Sequence, residues 1–263
     1  MKNSVIKWLR ENLSPKEKVK IKSMFDKILS LDSHRSYSQF GEDSFLYSYY
    51  KGKAWTPNRK TIGFGVDIEK GFYVDVGCYS PMDCSNTYLF YRQGWRGINI
   101  DPTPGVKEMF DAVRPRDINL QLAVSESATK IDLFSWGNPN VFNTVSPVVA
   151  ETRCHELGRD PTVIQVQAKP LKSILNTFLP AGQAISFLNI DVEGYDLVVL
   201  TTNDWEKYRP EIVIVEDYQA DMESILDSDI YRFLGEVEYQ MIAWLNPSTI
   251  YVDTQSRVTK GIK

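Results

Sequence analysis

Short apolar runs alternate with helical segments from about residue 70 to the C-terminal region. Each run is short enough to be a buried parallel strand: Gly71–Gly77, Arg96–Asp101, Ile118–Val124, Ala184–Asp191 and Glu211–Glu216. Helical patterns separate the first three of these runs, over Asn86–Gln93 and Val106–Val113. This alternation predicts an α/β fold with a doubly wound parallel sheet.

Two segments depart from the alternation. Tyr239–Leu245 and Thr249–Asp253 are separated only by the turn signal Asn246-Pro247-Ser248, which predicts a terminal antiparallel hairpin. Residues 126–169 contain predicted strands at Thr129–Trp136 and Thr162–Lys169 around a polar stretch. We therefore predict a mostly parallel seven-stranded sheet that carries an inserted lid.

The first 36 residues form a leader that differs in charge from the rest of the chain. Two short amphipathic helices are predicted there, divided by the capping box Ser14-Pro15-Lys16-Glu17. Residues 1–35 carry nine Lys and Arg against four Asp and Glu, so the remainder has a net charge of about −9. An acidic body argues against nucleic acid as a partner. The leader's lysines favour either weak peripheral contact with an anionic membrane or a solvated helix face. The remaining residues, 37–263, are predicted to be one domain.

Composition limits the chemistry and the compartment. Cys78, Cys84 and Cys154 give an odd cysteine count without metal-like spacing, which is typical of a reducing compartment. With no apolar run of spanning length, the expected location is cytoplasmic, with the inner membrane face as an option through the leader. His34 and His155 are the only histidines. Carboxylates must therefore carry most acid, base or metal chemistry.

Carboxylates follow four of the predicted strands. They are Asp75, Asp101, the Asp191-Val192-Glu193-Gly194 segment, and the Glu216-Asp217 pair. Any one of these alone is explained as a helix cap. In an open parallel sheet, however, ligands bind outside the carboxyl ends of the strands. Four such positions together predict a binding site at that edge.

The spacing after the first strand indicates the kind of ligand. Asp101 lies 24 residues beyond Gly77, where an acid after the second strand accepts hydrogen bonds from ribose hydroxyls. The row from Gly77 to Met82 lacks the G-x-G-x-x-G pattern of pyrophosphate binding. This combination favours S-adenosylmethionine, which has a ribose and no phosphate. Tyr79 is expected to line the same pocket, and Asn86 is assigned either to it or to a helix cap.

An ordered set of motifs over residues 38–218 resembles the FkbM-type S-adenosylmethionine-dependent methyltransferases. The matching segments are Ser38–Asp43, Gly71–Gly77, Ser85–Phe90, Gly94–Asp101, Asn143-Thr144, Asp191–Gly194 and Arg209-Pro210. The resemblance implies a Rossmann-like class I fold and methyl transfer to a hydroxyl, commonly on a sugar or a polyketide-like metabolite. It also implies that Asp75, Gly77 and Asp101 occupy cofactor positions. Tyr195-Asp196 departs from the family pattern, which leaves the acceptor open.

Methyl transfer requires the protein to position an acceptor oxygen and to remove its proton. The acids after the fourth and fifth parallel strands resemble the metal site of macrocin-type sugar O-methyltransferases. We therefore predict Asp191, Glu216 and Asp217 as Mg²⁺ ligands, with Asp191 also acting in catalysis, and Glu193 as general base. The alternative is that Glu193 and Glu216 only cap or pair. His155 is the second base candidate, unless it is a surface residue.

The sequence thus predicts an S-adenosylmethionine-dependent O-methyltransferase that acts on a hydroxyl of a sugar, a glycan or a related metabolite. Two alternatives stay open. A nicotinamide oxidoreductase would share the fold, but this sequence lacks the glycines and the Tyr-x-x-x-Lys proton relay of that enzyme class. A non-catalytic cofactor-binding module would need Gly77 and Asp101 but not Asp191 or Glu193. The pattern does not predict an oligomeric state.

Overall fold

The computed structural model describes residues 36–51, 70–137 and 140–255. The predicted leader lies outside these residues except for Ser36, and so does the membrane contact assigned to it. The division into a leader and a single domain stays a prediction. Within the described ranges, no helix is both long and apolar enough to cross a bilayer.

The main sheet has five parallel strands, which are β1 (Phe72–Val76), β2 (Arg96–Asp101), β3 (Ile118–Gln121), β7 (Phe187–Ile190) and β8 (Ile212–Glu216). The hairpin of β9 (Tyr239–Leu245) and β10 (Ser248–Asp253) continues the sheet antiparallel to β8. The seven strands lie in the order β3-β2-β1-β7-β8-β10-β9. The predicted parallel sheet with a terminal hairpin is confirmed.

Helices cover both faces of this sheet. They are α1 (Glu42–Tyr50), α2 (Tyr88–Arg92), α3 (Val106–Val113), α4 (Pro147–Leu157), α5 (Leu171–Phe178), α6 (Asp196–Thr201), α7 (Met222–Leu226) and α8 (Asp229–Glu236). Because side chains alternate along a strand, Tyr73 of β1 joins the core beneath α1 and α2, and Val74 joins the core beneath α5, α6 and α8. Burial on both faces explains why apolar residues occupy consecutive positions in the central strands β1, β7 and β8.

The inserted segment contributes two strands to a second sheet. They are β5 (Thr129–Ser135) and β6 (Thr162–Lys169), and β4 (Ala123–Val124), which precedes the segment, completes the sheet in the order β4-β6-β5. Helix α4 lies between β5 and β6 in the chain. The strand predicted over Ile118–Val124 is therefore wrong as one element. It is divided at Leu122, where the chain leaves the main sheet for the smaller one.

Candidate active site

A cavity of about 350 Å³ lies at the carboxyl ends of β1, β2, β7 and β8. Its volume falls in the range of about 300–1,000 Å³ that is usual for small-molecule sites. The loops after these strands form one side. The inserted segment forms the other side through Leu133, residues 140–145 and Arg153. The predicted location of the site at this sheet edge therefore coincides with a cavity.

Gly77 allows two chain segments to meet at the base of the cavity. Its φ is +83°, and an added Cβ would lie 1.7 Å from the backbone oxygen of Asp191. No side chain fits in that space. The loop after β1 is therefore held directly against the loop after β7, and Gly77 itself lines the cavity.

Asp101 ends β2 with a buried carboxylate that lines the cavity. Its Oδ2 accepts a hydrogen bond from the Tyr79 amide at 3.1 Å, and its Oδ1 accepts one from the Thr103 amide at 2.8 Å. Burial raises the pKa of this carboxyl, while the backbone donors act in the opposite direction. The Thr103 side chain also hydrogen-bonds to this carboxylate. Because a carboxylate has about four lone-pair sites, Asp101 is fixed in orientation and still able to accept a further donor, such as a hydroxyl.

Asp191 and Glu216, at the ends of the neighbouring strands β7 and β8, form a pair of interacting carboxyls at the cavity wall. Burial raises the pKa of Asp191 well above its usual value, and the charge of Glu216 adds to this. Burial likewise raises the pKa of Glu216 to about 8, with a contribution from the charge of Glu193. Near neutral pH, two such groups favour a shared proton.

Glu193 lines the cavity but already has a partner. Its carboxylate forms an ion pair with Arg153 of α4, and its backbone oxygen accepts a hydrogen bond from Thr144 Oγ1 at 3.0 Å. Burial raises the pKa of Glu193, and the Arg153 guanidinium opposes that shift. The residue has a φ of +58°, in the left-handed region. These contacts join the inserted segment to the loop after β7.

The FkbM methyltransferase domain model matches residues 75–241, which is more than half of the chain. The chain belongs to the FkbM methyltransferase family. The matched range holds every cavity-lining residue described above, and it favours methyl transfer over nicotinamide oxidoreduction. No curated protein and no solved structure matches the chain.

Two predicted cofactor residues of this methyltransferase do not line the cavity. Asp75 accepts hydrogen bonds from Thr87 Oγ1 at 2.7 Å and from Asn189 Nδ2 at 2.9 Å. Asn86 donates to Asn189 Oδ1 at 2.9 Å. Both residues are buried in a polar network between β1, β7 and the start of α2. They support the loops of the site, and the assignment of direct cofactor contact to them stays a prediction.

The same polar network includes a buried arginine that could not be predicted from the sequence. Arg114 is fully buried and forms an ion pair with Asp117 at 2.9 Å. It also donates to Tyr73 Oη at 2.7 Å and to Thr87 Oγ1 at 3.0 Å. Thr87 thereby connects Arg114 to Asp75. An arginine next to a proline in a polar turn gives no sequence signal of burial.

The three predicted metal ligands are not brought together in the methyltransferase. Asp217 turns away from the Asp191–Glu216 pair, and its carboxylate accepts hydrogen bonds from Ser228 Oγ at 2.6 Å and Gln219 Nε2 at 2.9 Å. Successive residues of an extended chain point to opposite sides, which explains the separation from Glu216. Over the described ranges, no group of three or more His, Cys, Asp and Glu side chains is arranged to hold a metal ion. The predicted ligand set is therefore not assembled.

His155 lies away from the site. It is exposed in the last turn of α4 and does not line the cavity. The surface alternative describes its position, and the structure gives no support to a role as base. Asp196, noted in the sequence only as a departure from the family pattern, instead supports the site. Its buried carboxylate accepts hydrogen bonds from the Val192 and Gly194 amides at 3.1 and 3.0 Å, which holds the turn at Glu193.

Proposed function

We propose that this methyltransferase transfers a methyl group from S-adenosylmethionine to a hydroxyl of a sugar or glycoconjugate. One observation carries the proposal. A single cavity holds a fixed, hydrogen-bond-accepting carboxylate at Asp101 and, on another wall, the carboxyl pair Asp191–Glu216. The first suits a ribose, and the second suits a hydroxyl that must lose its proton.

The residues present fit the cofactor. The backbone at Gly77 carries no side chain of its own into the cavity, and Asp101 presents oxygens already oriented by two backbone amides. Asp101 would hold the ribose hydroxyls, and Tyr79 would lie beside them. When bound, S-adenosylmethionine supplies a methyl group that its sulfonium has already activated. The chain therefore needs no further group to activate the methyl donor.

The chain's own task is to hold the acceptor oxygen and to receive its proton. Transfer forms an O–CH₃ bond as the S–CH₃ bond breaks, and the acceptor hydroxyl loses one proton. The Asp191–Glu216 pair is the cavity group suited to receive it, because a carboxyl with pKa near 8 is matched to a proton transfer at neutral pH. Glu193, tied to Arg153, is less suited to this role than the sequence suggested.

Binding of S-adenosylhomocysteine, measured by isothermal titration calorimetry, tests the cofactor assignment. We expect micromolar binding by the full chain and a loss of about tenfold or more in Asp101→Ala, because the charge-assisted hydrogen bonding to the ribose disappears. Glu108→Ala is the matched control, since Glu108 is an exposed carboxylate of α3 outside the cavity. Absence of binding to the unaltered protein, or equal affinity in Asp101→Ala, would contradict the proposal.

A further inference from the structure

We infer that the Gln39 side chain binds the carboxylate at the amino-acid end of S-adenosylmethionine. Gln39 lines the cavity, and it lies in the Ser38–Asp43 motif, which precedes all strands of the main sheet in the chain. The inference rests on the proposed function and adds a binding residue to the same site. S-adenosylhomocysteine has the same amino-acid end, so it serves as the probe.

Two buried carboxylates fix the backbone on either side of Gln39. Asp43 is fully buried and accepts a hydrogen bond from the Tyr37 amide at 2.7 Å. Glu42, also buried, accepts one from the Phe40 amide at 2.9 Å. Charge-assisted hydrogen bonds of this kind are among the stronger ones in proteins. The Gln39 side chain is exposed on this fixed backbone, so little freedom would be lost when it binds a ligand.

Two contacts place this segment at the sheet edge where the cavity lies. Ser248, at the start of β10, donates to the Glu42 carboxylate at 2.8 Å, and Ser248 is paired directly with Glu216 of β8. In the loop after β1, the Ser85 amide donates to a backbone oxygen of the segment at 2.9 Å. Gln39 therefore belongs to the part of the cavity that contains the carboxyl pair.

The part of the cavity next to Asp101 is apolar instead. The Leu122 amide donates to the Asp101 backbone oxygen at 3.2 Å, and the apolar lining there consists of Leu122, Ala123, Val124 and Leu133. In the cofactor, adenine and the amino-acid chain extend from opposite sides of the ribose. With the ribose at Asp101, the apolar part suits the flat faces of adenine. The amino-acid chain is then directed toward the part that contains Gln39.

The cofactor's carboxylate would enter a cavity that is lined mainly by acids. The charged lining side chains are Asp101, Arg153, Glu156, Asp191, Glu193 and Glu216, and the guanidinium among them is paired with Glu193. The backbone amides after β1 are also engaged. Those of Gly77 and Cys78 donate to one backbone oxygen of β2, at 2.9 and 3.4 Å, and that of Tyr79 donates to Asp101. The carboxylate therefore needs a neutral donor on another segment.

The side-chain amides that line the cavity are those of Gln39, Asn140 and Asn143. Asn140 donates to the Trp136 backbone oxygen at 3.2 Å, and Asn143 donates to that of Gly137 at 2.9 Å. The Gln39 carboxamide donates to none of the other residues that the structure describes. Its two N–H groups can therefore both be directed to a carboxylate.

Isothermal titration calorimetry on the full chain with three ligands tests the inference. The ligands are S-adenosylhomocysteine, its decarboxylated analogue, which lacks only the carboxylate, and methylthioadenosine, which lacks the whole amino-acid end. The variants are Gln39→Ala and Gln39→Glu, with Asp101→Ala as a reference for loss of the ribose contact. Gln93→Ala is the matched control, because Gln93 is an exposed glutamine directly after α2 that does not line the cavity.

We expect Gln39→Ala to lower the affinity for S-adenosylhomocysteine about tenfold, because a hydrogen-bonded partner of the ligand's charge is lost. Affinity for the other two ligands should not change. Gln39→Glu should weaken S-adenosylhomocysteine binding at least as much, since it adds a like charge. Asp101→Ala should weaken all three ligands, because each contains the ribose, and Gln93→Ala should weaken none.

Three results would overturn the inference while leaving the cofactor assignment intact. Unchanged affinity for S-adenosylhomocysteine in Gln39→Ala would show that Gln39 makes no contact with it. An equal loss for all three ligands would place the effect at the adenosine. An equal loss for S-adenosylhomocysteine and its decarboxylated analogue alone would place Gln39 at the ammonium group. If none of the three ligands bound the unaltered protein, the proposed function itself would be contradicted.

Discussion

Replacing Arg114 by alanine should destabilise the whole domain, although Arg114 does not line the cavity. The side chain is fully buried and donates to Asp117, Tyr73, Thr87 and Asn99. Removing one partner of a buried ion pair typically costs about 3–5 kcal/mol, because the remaining charge is left in a low-dielectric interior. The truncated side chain also leaves a cavity among aromatic rings.

The surroundings of Asp117 place the expected cost at the lower end of this range. Without Arg114, its carboxylate still accepts hydrogen bonds from Tyr73 Oη at 2.7 Å, from the Gly97 amide at 3.0 Å and from Asn99 Nδ2 at 3.0 Å. These donors retain part of the stabilisation of the charge. We therefore expect a loss of about 3 kcal/mol in the free energy of unfolding.

Urea unfolding followed by tryptophan fluorescence measures this loss. With a slope of about 2 kcal/mol per molar urea, a loss of about 3 kcal/mol moves the midpoint by about 1.5 M. Arg116→Ala is the matched control, since Arg116 is exposed and contacts Tyr91 through its backbone oxygen and ring. It should cost less than about 1 kcal/mol. An Arg114→Ala midpoint no lower than that of Arg116→Ala would refute the reasoning.

Three further predictions concern the loops of the site. Gly77→Ala should lower the free energy of unfolding by more than about 3 kcal/mol, because the new Cβ would meet the backbone oxygen of Asp191. Gly182→Ala is the control and should cost about 1 kcal/mol, since Gly182 has a φ of +74° and open space around it. Similar losses in the two variants would contradict the close approach of Gly77 to Asp191. Arg153→Glu should lower Tm by about 2–4 °C in a calorimetric scan, because it breaks the ion pair with Glu193. The double variant with Glu193→Arg should recover part of the lost Tm, and no recovery would be expected if Glu193 were purely catalytic. Burial raises the pKa of Asp196 to about 7, above its value in the unfolded chain, so the folded state holds a proton that the unfolded state releases. The free energy of unfolding should therefore fall by up to about 4 kcal/mol as the pH rises from about 4 to 7. Urea titrations at several pH values should show a smaller fall in Asp196→Asn, and equal slopes would argue against the shift.

Much of the fold could be predicted because burial on both faces leaves a mark in the sequence. The strands β1, β7 and β8 are mostly apolar, β2 has isoleucines at alternate positions, and the hairpin is marked by its turn residues. The prediction of one strand over Ile118–Val124 was wrong because the local pattern does not show which sheet a strand joins. Pairing partners are set by contacts distant in the chain.

Site residues could be predicted where their spacing in the sequence sets their position, but not where hydrogen-bond partners distant in the chain determine their role. Asp101 was found from its distance to Gly77, and it lines the cavity. Asp75 lies in a similar position near a strand end, but its carboxylate accepts hydrogen bonds from Thr87 and Asn189. No sequence pattern predicts these two contacts. The separation of Glu216 from Asp217 follows from the alternation of an extended chain, so the sequence could have excluded that metal set.

The two sides of the cavity come from different structural units. Gly77, Asp101 and Asp191 lie at the strand ends and loops of the main sheet, whereas the facing residues 140–145 and Arg153 belong to the segment that supplies two strands of the small sheet. That segment can accumulate substitutions without altering the strands that present Asp101. Exchanging residues 126–169 between relatives is therefore a practical route to chimeric enzymes that keep the methyl donor and accept different substrates.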